Sequence, residues 1–81
     1  MTEALTSTIE SETGRLAQID DPVERFRAAR DFRDVIAVGD AAAREIERVA
    51  VGQLKEGRPW RAVGELLGIS GSRAEQIAKG R

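Results

Sequence analysis

The chain contains no cysteine and no histidine. Without cysteine there is no disulfide framework and no thiolate metal site. Without histidine the commonest general base and the commonest transition-metal ligand are missing. Ser–His and Cys–His catalysis are therefore excluded. No glycine-rich phosphate loop appears, and nothing places two carboxylates in one pocket. The expectation is a protein that is not an enzyme and carries no metal or cofactor. Long apolar runs are also lacking: "VIAV" (Val35 to Val38) is about the longest and is far too short to span a bilayer. The opening "MTEALTSTIESE" is acidic and polar, unlike a secretory signal. These absences make the cytoplasm the expected location. Only 2 prolines occur, and no stretch alternates with period two, so strands are not expected. The fold class expected is all-α.

An 81-residue chain is one domain, or one domain with an arm. A chain this short buries a modest core and is often helped by a partner subunit. The net charge of −1 hides an asymmetry. Up to Glu56, 12 acidic residues face 8 basic ones, a balance of −4. From Gly57 onward Glu65 and Glu75 face Arg58, Arg61, Arg73, Lys79 and Arg81, a balance of +3. Such a division suggests a basic contact surface on an otherwise acidic body.

A first helix is predicted from about Thr2 to Ile19, with Leu5, Ile9, Leu16 and Ile19 on one face and Glu12 interrupting them. Gly14 weakens it by about 1 kcal/mol relative to alanine. "DDPVE" reads as a helix start: Asp21 caps, Pro22 takes the first helical position, and Glu24 completes a capping box. The pattern then runs to about Glu56, a length of roughly 50 Å if unbroken. Phe32, Ile36, Gly39, Ala43, Ile46, Ala50 and Gln53 step by four and three, as in a coiled-coil seam. "VGD" (Val38 to Asp40) could break this helix, but the seam stays in phase across Gly39. The stripe serves equally as a cover for a small core or as a homodimer seam, and a bundle would combine both. The arginines at 25, 27, 30 and 33 alternate with Asp31 and Asp34 and read as a surface laced with ion pairs. Residues 1–56 thus form an N-terminal helical, dimerising region, with 57–81 a separate unit. Gly57 and Pro59 end the long helix.

The last segment reads "RPWRAVGELLGISGSRAEQIAKGR". Two short helices are predicted near Pro59 to Leu67 and Gly71 to Lys79. Gly64 marks a close helix crossing, and Gly68 a turn needing positive φ. Val63, Leu67, Ile69, Ala74 and Ile77 form the expected interhelical core, plugged by Trp60. Ser70 caps the second helix.

"EGRPWRAVGELLGIS", Glu56 to Ser70, resembles the opening of the helix-turn-helix in sigma-70 region 4-type and related small bacterial DNA-binding proteins. The resemblance is strong over the last third of the chain. It is weaker over "DDPVERFRAARDFRDVI", which is similar to the long helix preceding this unit in small actinobacterial-type regulators. Two positions depart from the pattern. Pro59 stands where serine or threonine is frequent, and Gly71 where a longer polar residue is common. The resemblance implies a transcriptional regulator, associated with the nucleoid, that binds double-stranded DNA. In such units the second helix enters the major groove. Ser72, Arg73 and Gln76 are the expected base contacts, and Arg61, Ser70, Gly71, Lys79 and Arg81 the expected phosphate contacts. Glu75 is unhelpful on such a face. The alternative implied is a protein-interaction module docking on RNA polymerase or another transcription protein.

Overall fold

The computed structural model describes residues Thr2 to Gly80. They form four α-helices and no strand: α1 (Thr2–Ala17), α2 (Pro22–Lys55), α3 (Trp60–Leu67) and α4 (Gly71–Ala78). Of the expected bounds, α1 stops two residues short of Ile19. Pro59 and Lys79 flank α3 and α4 as caps instead of lying inside them. α2 runs without a break through Gly39 and Asp40. Alanines at 41 to 43 are strong helix formers and offset the cost of the glycine. Asp40 does not cap a new helix; its carboxylate pairs with Arg44 one turn on, at 2.9 Å. The chain divides into two compact units, the first ending at Val38 and the second beginning at Gly39.

In the first unit α1 and the start of α2 form a hairpin. Its turn is tightened by bonds from the amides of Gln18 and Ile19 to the carbonyls of Arg15 and Leu16. The Arg25 guanidinium donates to the Ile19 carbonyl at 3.2 Å, tying α2 back onto the turn. Asp21 caps α2 by accepting from the Val23 amide at 3.4 Å. The reciprocal bond from Glu24 that a capping box requires is not formed. Leu16 is buried, Ile9, Ile19 and Phe32 are half-buried, and Leu5 stays exposed. The ion-pair lacing expected among residues 25 to 34 is absent among the described residues. Arg30 instead lies over the Phe26 ring, 5.6 Å from its centre.

In the second unit α3 and α4 pack on each other and on the last turns of α2. The buried residues are Val51 of α2, Val63 of α3 and Ala74 of α4. Leu54, Trp60, Ile69, Ile77 and Ala78 close around them. Two expectations need correction. Leu67, the last residue of α3, is 42% exposed and lies outside this core. Val51 takes a core place not foreseen, next to the stripe residue Ala50 but on a different face of α2. Trp60 is the expected plug, and the Lys55 ammonium lies 5.1 Å from its ring. Gly57 and Gly68 both have positive φ, at 69° and 72°. The Arg58 guanidinium donates to the Leu54 carbonyl at 3.0 Å, satisfying one open acceptor at the end of α2.

α3 and α4 meet backbone to backbone. A Cβ at Gly64 would lie 2.5 Å from the Ile69 carbonyl oxygen and 2.8 Å from the Gly71 nitrogen. The Gly64 carbonyl accepts from the Ile69 amide at 2.9 Å, so the turn is bonded at the same point. Gly64→Ala is expected to destabilise the second unit by about 3 kcal/mol, since backbone atoms must move. Gly14 has open space around it. Gly14→Ala is therefore expected to stabilise α1 by about 0.5–1 kcal/mol. Urea unfolding followed by Trp60 fluorescence reads the first change, and helical circular dichroism reads the second.

Candidate nucleic-acid interface

α4 is eight residues long, and its inward positions are fixed by packing. Ala74 is fully buried, and Ile77 and Ala78 lean on the core. At helical spacing this turns Ser72, Gln76 and Lys79 outward, and all three are exposed. Ser70 is extended at φ −72° and ψ 156°, and its hydroxyl accepts from the Arg73 amide at 3.0 Å. Its role is thus the cap, which holds the first turn of α4 at a defined angle.

Gly71 has a structural cause. A Cβ there would come within 3.0 Å of the Trp60 carbonyl carbon and the Arg61 nitrogen. Glycine is the residue that lets the starts of α3 and α4 approach this closely. A longer residue at 71 would need the backbone of Trp60 and Arg61 to give way by a few tenths of an ångström. Arg61, at the start of α3, is thereby set beside the start of α4.

Arg73 is placed differently from Ser72 and Gln76. With Ile77 it lines a cleft against α2, of about 480 Å³, whose other wall carries Asp40, Arg44, Glu45 and Arg48. It also approaches the Gln76 side-chain oxygen at 3.5 Å. In this wall Arg48 grips Glu45 with two bonds, at 2.9 and 2.6 Å. That hydrogen bonding holds the Glu45 carboxyl below its ordinary range and raises the Arg48 guanidinium. Glu12 is lowered in the same way by its hydrogen bond from Arg15.

The two remaining cations of the outward surface are each paired on their own helix. Arg61 meets Glu65 at 3.5 Å, and Lys79 meets Glu75 at 3.5 Å. Arg81, expected at a phosphate, lies outside the described residues.

Of the seam residues, Phe32 is half-buried and Ile36 is 43% exposed in the first unit. In the second unit Gly39, Ala43 and Ala50 are exposed, and Ile46 is 71% exposed. No α2 side chain from Arg33 to Ala50 is buried. No described helix is long and apolar enough to cross a membrane. No family model, curated protein or solved structure matches the chain.

Sequence reasoning missed the packing role of Gly71 and the cleft position of Arg73. The signal for the first was present in the spacing Gly64 to Gly71, seven residues apart across one turn. Ser70→Ala is expected to cost about 1 kcal/mol, the usual worth of a side-chain cap. Equilibrium unfolding in urea checks it, and Ser72→Ala in the same helix, which removes no cap, should stay within about 0.5 kcal/mol of the parent.

Proposed function

We propose that this protein binds double-stranded DNA in a sequence-dependent way and regulates transcription. In this reading α3, the turn at Gly68 and α4 act as a helix-turn-helix, with α4 in the major groove. Ser72 and Gln76 meet base edges. Arg61, Lys79 and the open amides at Gly71 meet phosphate. Arg73 supports the base contacts from the flank of α4 nearest α2. The observation that carries the reading is the crossing at Gly64 and Gly71. It sets a short, capped helix at a fixed angle and leaves Ser72, Gln76 and Lys79 on its open side. One such helix offers few contacts, and a homodimer through the seam from Phe32 to Ala50 would double them. The sigma-70 region 4-like resemblance, a bacterial origin, a nucleoid location and the lack of catalytic activity belong to the same proposal.

A second reading is favoured by a specific observation. Val38 and Ile46 are 72% and 71% exposed, which is unusual for a helix that serves only as a spacer. In that reading the chain docks on RNA polymerase or another transcription protein.

Selection of bound duplexes from a random DNA pool separates the two. The expected result is an enriched, two-fold symmetric site. Ser72→Ala with Gln76→Ala should lower discrimination between that site and random duplex by about tenfold or more. No enrichment would sink the DNA reading. Retained activity in that double variant, together with loss in Ile46→Glu, would establish the docking reading in its place.

A further inference from the structure

We infer that Glu65 and Glu75 are built-in competitors for phosphate, which hold Arg61 and Lys79 and so lower affinity for DNA of any sequence. The inference rests on the DNA-binding reading and adds a specificity device to it. Its first support is the pairing itself. Both pairs join a cation expected at phosphate to a carboxylate one helical turn away, each at 3.5 Å. Arg61 and Glu65 are mostly exposed, Lys79 is about half exposed and Glu75 is half-buried. Exposed pairs of this length are weak, so a phosphate can displace the carboxylate.

The second support is that helix stability does not explain the arrangement in α3. Arg61 lies in the first turn of that helix, and Glu65 in its last. A cation at the amide end and an anion at the carbonyl end both oppose the helix dipole. Arginine N-terminal to glutamate is also the weaker order for a pair four residues apart. The order costs α3 stability but places Arg61 beside the start of α4, with a carboxylate to restrain it. Glu75 and Lys79 follow the favourable order, so in α4 the restraint and helix stability coincide.

The consequence is a division of labour. Contacts to phosphate carry affinity without sequence information, and contacts to bases carry the discrimination. On random duplex the carboxylates offset Arg61 and Lys79, and little binding energy remains. On a matching site the base contacts hold α4 in place, and the cations transfer to phosphate. Removing the carboxylates should raise affinity for every duplex and narrow the ratio between matching and random DNA.

The full chain and three variants, Glu65→Gln, Glu75→Gln and Glu3→Gln, test this against a random-sequence duplex over a salt titration. Glu3→Gln alters net charge equally but lies in α1 of the first unit. The two α3 and α4 variants are each expected to bind about threefold to fivefold more tightly near 0.1 M salt. Their plots of log affinity against log salt should steepen by up to about 0.9 for each freed cation. Glu3→Gln should track the parent. If all three variants bind alike, the inference is overturned while DNA binding stands. If neither the parent nor any variant binds duplex even at low salt, the DNA-binding reading falls and takes the inference with it. Circular dichroism confirms that each variant keeps the helical content of the parent.

Discussion

The second unit depends on one constraint, the approach of two backbones at Gly64 and Gly71. Everything that positions the outward face of α4 follows from it. The carbonyl of Ile69 sits where a Cβ of residue 64 would be. The start of α3 sits where a Cβ of residue 71 would nearly touch. With both side chains absent, the helices pack at a distance that two short segments could not otherwise reach. Close packing lets Val63 and Ala74 disappear from solvent despite the small size of the unit. It also fixes which residues of α4 point away, because an eight-residue helix has no freedom to roll once Ala74 is buried.

The remaining interactions secure this geometry more than they add to it. The left-handed turn at Gly68 and the Ser70 hydroxyl determine where α4 begins. The indole of Trp60, flanked by the Lys55 ammonium, closes the side facing α2. Charge is arranged with the same economy. On the outward surface Arg61 and Lys79 each lie 3.5 Å from a carboxylate of their own helix. The first unit is the contrast: a hairpin in which Leu16 alone is buried among the described residues, with apolar residues left in solvent along α2. Such a hairpin gains little from its own packing, and its helices rest on local bonds.

Much of this was legible from the residues alone. Four helices, their order and most of their bounds follow from caps and spacing. Gly57, Gly64, Gly68 and Ser70 each occupy a position with one physical solution, so their roles could be read directly. The failures have physical causes as well. Spacing predicts a capping box through Glu24, but the cap that forms is the Asp21 carboxylate accepting from the Val23 amide. Periodicity places Leu67 in the core, but periodicity cannot report how far burial extends at the last residue of a helix. Val51 was overlooked because α2 presents one apolar face in sequence yet buries a different one under α3 and α4. The cause of Gly71 lies in the backbone of Trp60 and Arg61 across the crossing, which the local sequence does not display. Arg73 was grouped with Ser72 and Gln76 because all three are polar and close in sequence. Arg73 also lines the cleft against α2, while its guanidinium still reaches the Gln76 side chain.

A core closed by Val51, Val63 and Ala74 has a thermodynamic consequence. Unfolding it exposes little apolar surface, and newly hydrated apolar surface is the main source of the heat-capacity change. With a small heat-capacity change the free-energy curve is shallow, and neither warming nor cooling has a steep effect. The unfolding enthalpy is small for the same reason, so the transition spreads over a wide range of temperature. The rigid angle between α3 and α4 is thus held by shape, in a unit whose cooperativity is low.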